Sequence, residues 1–408
     1  MDPLAYLFGL EQFGIKFGLD NIRALLARLG HPQRAFRSIH IAGTNGKGSV
    51  TAMVDEVLRR ARYHSGRYTS PHLIDLSERF VVGGRPIGAA QMRQSAADVQ
   101  AAIEAMIAEG TLSGKPTFFE ATTAMAFDLF RNARVEFGVV EVGLGGRLDS
   151  TNVIEPVVTA ITSIDFDHQQ YLGNTLADIA GEKAGIIKPG VPVVVGAVKP
   201  EAYDVIARIA RERGAELILA DRVPAEYGSI HVGLRGEHQV ANAAVAIRLL
   251  EALERSGIAI GRQAIVDGLA NVSWPGRLDH RRLPSGREIV FDAAHNPAGA
   301  RALASYLRAL GRTKPTLVFG VLRDKDVEGM LEALLPEVGR VIVTRPSNTR
   351  AAPAEELASR IRELAPALDV EVIVSPREAV ERATTDSPFV VVAGSIFLLG
   401  DIMQAFSA

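Results

Sequence analysis

Short apolar runs rich in valine and isoleucine alternate along the chain with longer, alanine-rich segments whose apolar residues have helical spacing. Runs that are apolar at every position fit strands covered on both faces, so the pattern predicts parallel sheets with crossover helices. In the first half of the chain the predicted strands are Arg37–Ala42, Phe137–Val142, Val157–Ile164 and Val191–Gly196.

The second half repeats this alternation more regularly and predicts a complete, smaller doubly wound sheet. Helical patterns follow its strands, for example at Pro297–Leu310 and Ala354–Leu364. A turn-rich and basic segment, 274–286, precedes it. Because domain boundaries fall in such segments, we expect two domains, 1–279 and 280–408. The predicted strands of the second domain are Glu288–Asp292, Thr316–Gly320, Arg340–Val343, Val370–Ile373 and Phe389–Ala393.

Composition excludes several classes of protein. The chain has 408 residues, a formal net charge of -2 and no cysteine. The charge argues against binding nucleic acid through bulk positive charge, and the lack of cysteine excludes disulfides, thiol nucleophiles and Cys-ligated metals. The N-terminal segment has no basic region followed by an apolar run, and the apolar stretch Phe389–Leu399 is too short to span a bilayer. We therefore expect a cytoplasmic protein that does not contact membranes.

The most informative motif is the glycine-rich stretch 43–49, Gly-Thr-Asn-Gly-Lys-Gly-Ser, between a predicted strand and a helical pattern. Glycines let the backbone wrap an anion, a helix start offers free N–H groups, and a lysine adds charge. The motif departs from the usual phosphate loop, because only two residues separate Gly43 from Gly46 and Gly48 stands where a Ser or Thr is usual. A glycine-rich turn that only caps a helix is the alternative. We expect Lys47 on a solvent-facing loop.

Two polar residues stand near the ends of predicted strands, where α/β sheets bind ligands. Glu141 ends an apolar strand, where a buried carboxylate is costly unless it is paired or metal-bound. A salt bridge to Arg147 is the alternative to a metal. His168 follows another strand beside Asp165 and Asp167, which favours a metal or phosphate setting, although a lone histidine is more often structural. A dinucleotide-binding interpretation of the glycines after Glu141 is weak, because no acidic residue is placed for a ribose.

Other polar residues have ordinary explanations when each is taken alone. The Ser70-Pro71 pair is a common turn. Lys183 belongs, by composition, to a surface helix, and could pair with Glu182. Asn242 stands among alanines on a helix, where a polar side chain needs a partner.

The segments on either side of the predicted boundary also contain charged residues. Arg277 belongs to a Trp-Pro-Gly-Arg turn at 274–277. The Asn-Pro pair that follows His295 suits the N-cap and first position of a helix. Neither Asp292 nor His295 is needed for that cap, so both are candidates for chemistry.

In order, these motifs resemble the folylpolyglutamate synthase and dihydrofolate synthase family of the Mur ligase superfamily, over about residues 14–400. The resemblance rests on the short loop with Gly48, the Glu-Val-Gly-Leu-Gly-Gly-Arg-Leu-Asp run from Glu141 and the Asp-His-x-x-x-Leu-Gly run at His168. It also rests on the Glu-Lys-Ala-Gly-Ile run at Lys183 and the Asp-x-Ala-His-Asn-Pro run from Asp292. It implies an α/β fold with an N-terminal Mur-ligase-type P-loop ATPase domain and a smaller Rossmann-like C-terminal domain.

The same resemblance implies roles for individual residues. It makes Lys47, Lys183 and His295 catalytic, with Lys183 carbamylated. It places a magnesium ion on Ser70, Glu141, His168 and Lys183. It places ATP on Gly43, Thr44, Asn45, Gly46, Lys47, Gly48, Ser49, Asn242, Arg277 and Asp292. It places the folate on Lys16, Phe17, Gly18, Pro71, His72, Thr117 and Phe118, with a core position as the alternative for Phe118.

The predicted function is an ATP-dependent amide ligase that adds L-glutamate to a folate or to dihydropteroate through an acyl phosphate. A Mur ligase for a UDP-linked peptidoglycan precursor is one alternative, disfavoured by Gly48 and by the short segment of 42 residues before the loop. A nucleotide-hydrolysing switch or kinase is the other, disfavoured by the loop spacing. The sequence does not choose between dihydropteroate, a reduced folate or both. We expect a monomer whose partners are small molecules.

Overall fold

Two sheets organise the chain, one in each of two units of the computed structural model, which describes residues 2–14, 16–112 and 114–405. The first unit contains the residues up to Asp165, Gln169–Val232 and Ala241–Val272. The second contains Phe166–His168, Gly233–Val240 and the chain from Ser273 onward. The division expected after residue 279 falls inside this second part, at the start of a strand.

The first sheet has eight strands, and its centre is buried on both faces. The strands are β1 (Arg37–Ala42), β2 (Ser65–Tyr68), β3 (Phe80–Val82), β4 (Arg85–Pro86), β5 (Phe137–Glu141), β6 (Pro156–Ile161), β7 (Val193–Gly196) and β8 (Leu217–Ala220). Their order is β4-β3-β2-β5-β1-β6-β7-β8, and only β3 and β4 are antiparallel to their neighbours. All of β5 is buried, which explains its continuous apolar run.

Helices cover this sheet and cross over between its parallel strands. They are α1 (Pro3–Gly9), α2 (Asp20–Arg28), α3 (Lys47–Arg60), α4 (Ala89–Ala108), α5 (Phe118–Asn132), α6 (Gln169–Leu172), α7 (Leu176–Ala184), α8 (Pro200–Glu212), α9 (Glu237–Arg255) and α10 (Arg262–Asn271). The residues of α9 up to Val240 belong to the second unit. Short 3-10 helices lie at Leu10–Phe13, Pro32–Arg34, Leu76–Arg79, Ser150–Val153, Ala225–Tyr227 and Leu335–Glu337.

The second sheet has six strands and is smaller. They are β9 (Asp279–Arg282), β10 (Glu288–Phe291), β11 (Thr316–Phe319), β12 (Arg340–Val343), β13 (Asp369–Val372) and β14 (Phe389–Ala393). Their order is β13-β12-β11-β14-β10-β9, with β9 antiparallel at the edge and the others parallel. The helices are α11 (Pro297–Ala309), α12 (Val327–Leu334), α13 (Ala354–Leu364), α14 (Pro376–Asp386) and α15 (Ile396–Ala405).

The predicted α/β architecture is confirmed, and β1, β12, β14 and α13 have the predicted bounds. The strands β2, β3, β4, β8 and β9 were not among the predicted ones, and each has only two to four residues. The sequences of β2, Ser-Gly-Arg-Tyr, and β9, Asp-His-Arg-Arg, contain polar residues and form no apolar run, so their pairing depends on the neighbouring strands. Among the described residues, none of the helices combines the length and apolarity needed to cross a membrane.

Candidate functional site

The glycine-rich loop follows β1 and leads into α3, and its backbone is fixed by the segment after β6. Gly43 has a φ of 150° and Gly46 a φ of 85°. A Cβ on Gly43 would overlap Thr162 Oγ1, and one on Gly46 would overlap Asn242 Oδ1. Glycine is therefore required at both positions for space as well as for backbone conformation.

Hydrogen bonds hold the loop in this shape. Thr44 N donates to Ser163 O over 2.8 Å, and Asn45 N donates to Ser163 Oγ over 3.0 Å. Thr162 Oγ1 donates to Asn45 O over 2.6 Å. The loop is thus preformed at the carboxyl edge of the sheet, where parallel α/β sheets bind ligands.

Two lysine side chains reach this loop. Lys47 is the first residue of α3, and its Nζ donates to Gly43 O over 2.9 Å and to Thr44 O over 3.2 Å. It is half-buried, so its side chain is only partly open to solvent. Lys183, near the end of α7, is only 4% exposed and donates to the same Gly43 oxygen over 3.0 Å. The interpretation of Lys183 as a surface residue is therefore wrong, and the two lysines bring positive charge to the loop.

Glu141 and Ser70 lie together at the ends of the neighbouring strands β5 and β2. The Glu141 carboxylate is 5% exposed, and its Oε2 accepts a hydrogen bond from Ser70 N over 3.0 Å. Arg147, the alternative partner considered for Glu141, pairs with Glu182 over 2.7 Å. Burial lowers the pKa of Arg67 and of Arg79, and the charge of Glu141 opposes this in both. Glu141 therefore lies in a buried and positively charged environment.

The donors present at Glu141 suit magnesium. Carboxylate and hydroxyl oxygens are the ligands that this ion prefers, and it commonly takes one or two carboxylates and completes its shell with water and phosphate. Within the described part of the chain, no three histidine, aspartate or glutamate side chains are grouped to hold a metal. The Glu141 carboxylate and the Ser70 hydroxyl are of the chemical type that fits a magnesium ion. His168, the other expected ligand, belongs to the second unit.

In the second unit, Asp167 is the centre of a polar cluster. Lys325 Nζ donates to Asp167 Oδ1 over 2.6 Å, and Asn296 Nδ2 donates to Oδ2 over 3.1 Å. His295 Nε2 lies 3.4 Å from Oδ2, while its Nδ1 lies 2.8 Å from Ala293 O. Both ring nitrogens of His295 therefore face oxygen atoms, which fixes the orientation of the ring.

Burial alone would raise the pKa of Asp167, but the contacts with His295, Lys325 and His168 hold it well below its usual range. His168 Nε2 accepts from Lys325 Nζ over 3.4 Å. The site prediction omitted Asp167 and Lys325. The available signals were the Asp-Lys-Asp run at 324–326 and the position of Asp167 directly before His168.

Arg277 and Asp292 also come together in the second unit. The Asp292 carboxylate accepts from Leu278 N over 2.8 Å and from Ala294 N over 2.9 Å. Burial raises the pKa of Asp292, although the charge of Arg277 opposes this. Burial lowers the pKa of His238, a neighbour that the sequence did not single out and for which it offers no clear signal. Asn242 belongs instead to the first unit, where it contacts Gly46.

The residues expected to bind the folate occupy different environments. Lys16 Nζ donates to Lys115 O over 3.0 Å, which brings it near the start of α5, where Thr117 is the N-cap. The Phe17 ring lies 5.8 Å from the ring of Tyr171, and both side chains are exposed. Tyr171 was not predicted, because only the fold brings it to Phe17.

Phe118 and His72 are held by Arg79. The Phe118 ring belongs to the core cluster, with the Phe8 ring stacked 5.7 Å away and the Arg79 guanidinium 5.2 Å from its centre. Arg79 Nε donates to His72 Nδ1 over 2.9 Å. Burial, assisted by Arg79, lowers the pKa of His72 to about 4, so this imidazole is neutral at pH 7. Arg79 thus holds in place both His72 and Phe118, two of the residues expected to contact the folate.

Comparison with known proteins gives matches over nearly the whole chain. Residues 41–220 match the Mur ligase middle domain, and residues 276–396 match the Mur ligase glutamate ligase domain. The dihydrofolate synthase/folylpolyglutamate synthase of Bacillus subtilis is 35% identical over 99% of this chain and 98% of its own length.

Solved structures match equally well. The Mycobacterium tuberculosis folylpolyglutamate synthase complexed with ADP and AMPPCP superposes with a TM-score of 0.90, at 36% identity, over 100% of this chain and 99% of the other. The bifunctional folylpolyglutamate synthase/dihydrofolate synthase of Yersinia pestis, complexed with AMPPNP and a manganese ion, superposes with a TM-score of 0.87. Its sequence is 30% identical, over 100% of this chain and 98% of the other.

Proposed function

Because the chain belongs to the folylpolyglutamate synthase and dihydrofolate synthase family of Mur ligases, we propose that it joins L-glutamate to a folate in an ATP-dependent reaction. The observation that carries this proposal is the preformed loop with two lysine ammonium groups at Gly43. A neutral substrate would gain nothing from such charge, whereas a polyphosphate needs it.

The chemistry proceeds in two steps. A carboxylate oxygen of the folate attacks the γ-phosphorus of ATP, so that ADP leaves and an acyl phosphate forms. The amine of glutamate then attacks the acyl carbon, and the tetrahedral intermediate expels inorganic phosphate and loses a proton to give the amide. Both steps bring anions together, so the protein must offset their repulsion.

We assign this task in the first unit to the loop. Its N–H groups and Lys47 bind the phosphates, Asn242 contacts the adenine, and Glu141 and Ser70 hold magnesium. Bound there, magnesium supplies Lewis-acid stabilisation of the negative charge on the phosphate oxygens. A preorganised contact of this kind contributes about 3 kcal/mol to transition-state stabilisation.

In the second unit we assign Arg277 and Asp292 to ATP and His295 to the reacting carboxylate and incoming glutamate. Asp167 orients His295, and Lys325 compensates the aspartate. Asp167 and Lys325 are positioning residues in this proposal. The role of His168 as a magnesium ligand stays a prediction from the sequence. The monomeric state and the cytoplasmic location stay predictions from the sequence.

Phosphate release tests the function and its alternatives. The purified chain is given ATP and magnesium with dihydropteroate, with tetrahydrofolate or with a UDP-linked peptidoglycan precursor, each with and without L-glutamate. We expect release that requires glutamate together with a pterin substrate. The two pterin arms show whether one or both are accepted. Release without any acceptor would indicate a nucleotide hydrolase, and release only with the UDP-linked precursor would indicate the other Mur ligase activity.

A further inference from the structure

A cavity lies at the edge of the first sheet opposite to the phosphate loop, where the parallel strands begin. It has a volume of about 640 Å³ and is bordered by the segments that enter β1, β6 and β7. These are the amino ends of three adjacent parallel strands. The phosphate loop and Glu141 follow the carboxyl ends of the same sheet. This amino-edge cavity is therefore separate from the site described above, and its volume suits a small molecule.

Basic side chains dominate the lining of the amino-edge cavity. They are Arg23, His31, Arg34 and Lys188, whereas Glu155 is the one lining carboxylate among the described residues. In the part of the chain that the structure describes, no ion pair joins Arg23, Arg34 or Lys188 to a carboxylate. Charges that share a cavity without such partners leave a local excess of positive potential.

Lys188 is half-buried, whereas Arg23, His31 and Arg34 are exposed. Its Nζ donates to Asn152 O over 2.9 Å, which fixes the ammonium at the cavity wall. Burial, assisted by the charges of Arg213 and Arg23 and opposed by that of Glu155, lowers the pKa of Lys188 to about 8. An anion in the cavity would reverse this effect, because it favours the charged ammonium.

We propose that the amino-edge cavity binds a small molecule with two or more anionic groups, either phosphates or carboxylates. Arg23 comes from α2, Arg34 from the turn before β1 and Lys188 from the turn before β7. Because the three cations come from separate elements, they suit a ligand with several anionic groups better than a ligand with one. Charge-assisted hydrogen bonds to such groups are stronger than those between neutral groups.

Residue-resolved NMR tests the proposal without interference from the ATP site. Lysines of the full chain are reductively methylated with ¹³C, which keeps their charge. The Lys188 signal is assigned by its loss in Lys188→Arg. Pyrophosphate and citrate are then titrated separately in magnesium-free buffer. The signal of Lys47 reports the phosphate loop, and that of the exposed Lys199 reports unspecific effects.

We expect the Lys188 signal to shift with a Kd of about 1 mM or tighter for at least one probe. Arg34→Gln should weaken that Kd about tenfold, as loss of one charge-assisted contact does. The control Arg222→Gln removes an exposed charge outside the cavity and should leave it unchanged. A shift with pyrophosphate, citrate or both identifies the anionic class. No shift with either probe, or an equal Kd in wild type and Arg34→Gln, overturns the proposal.

Discussion

The ammonium groups of Lys47 and Lys183 donate hydrogen bonds to the same carbonyl oxygen, that of Gly43, over 2.9 and 3.0 Å. Two cations at one carbonyl oxygen would stabilise an anion that is bound beside them. The two lysines come from α3 and α7, far apart in sequence.

Replacing Lys47 should separate catalysis from folding. Lys47→Ala removes a charge that donates to the carbonyl oxygens of Gly43 and Thr44, and we expect kcat/KM to fall at least about 100-fold. The melting temperature should change by no more than about 2 °C, because no apolar core is disturbed. Phosphate release and thermal unfolding measure the two quantities.

The matched control for this substitution is Lys199→Ala, which removes the same group from an exposed position before α8. It should leave both quantities unchanged. The assignment of Lys47 would be wrong if Lys47→Ala kept more than about a tenth of wild-type activity.

The loop glycines should be intolerant of a single added methyl group. Gly46→Ala places a Cβ against Asn242 Oδ1, at a φ of 85°. We expect nucleotide affinity to fall by more than tenfold, because the loop or Asn242 must move. Calorimetry with AMPPNP and magnesium measures it. Gly110→Ala is the control, since Gly110 has a φ of 69° but no atom near its Cβ position. If both variants lose nucleotide affinity equally, the lack of space at Gly46 does not explain the loss in Gly46→Ala.

Glu141→Gln tests whether the buried carboxylate binds metal. Glutamine keeps the shape and can still accept from Ser70 N, so the metal contact is what changes most. We expect activity to fall about 100-fold and half-saturation by magnesium to rise. The competing possibility is that Glu141 mainly compensates Arg67 and Arg79. In that case the melting temperature falls, and added magnesium does not restore activity.

Apolar runs predicted the central strands because burial on both faces requires such runs, as β5 and β14 show. Motif order predicted individual residues such as Glu141 and Lys183. Contacts between distant elements could not be predicted from the sequence, because only the fold brings Tyr171 to Phe17 and Lys325 to Asp167. The buried position of Lys183 was missed for the same reason: a helix pattern does not show which neighbour covers a lysine.

His40, within β1, should make stability depend on pH. It is fully buried, and its Nε2 lies 2.8 Å from Thr151 Oγ1. Its Nδ1 has no hydrogen-bond partner among the described residues, so a second ring proton would be buried unpaired. Burial, assisted by Lys188, lowers the pKa of His40 from 6.5 to about 3.

The direction of this pH dependence follows from which state of the chain, folded or unfolded, binds the proton. Below about pH 6.5 the unfolded chain protonates this histidine and the folded chain does not, so stability is full above that pH and declines toward about pH 3. The slope from this group approaches about 1.4 kcal/mol per pH unit. Urea unfolding at several pH values should show a shallower slope in His40→Gln. The control His231→Gln, at an exposed position, should keep the wild-type slope. An unchanged slope in His40→Gln contradicts the prediction.

Lys183 is expected to react with carbon dioxide. Two ammonium groups on one carbonyl repel each other, and carbamylation of one removes this repulsion. In the reaction the neutral amine nitrogen attacks the carbon of carbon dioxide and loses a proton, which leaves a carbamate anion. Lys183 is the better candidate of the two, because its burial shields the carbamate from water and the new oxygens suit magnesium.

A carbamate at Lys183 should be directly visible. With ¹³C-labelled carbon dioxide, we expect one carbamate signal that disappears in Lys183→Arg and persists in the control Lys199→Arg. Activity should fall when carbon dioxide is removed and recover when it is returned. Lys183→Ala should be inactive, and acetate should restore part of its activity, since a free carboxylate can occupy the position of the carbamate. If no such signal forms and activity is independent of carbon dioxide, Lys183 acts as a plain ammonium. Its role is then to bind phosphate beside Lys47.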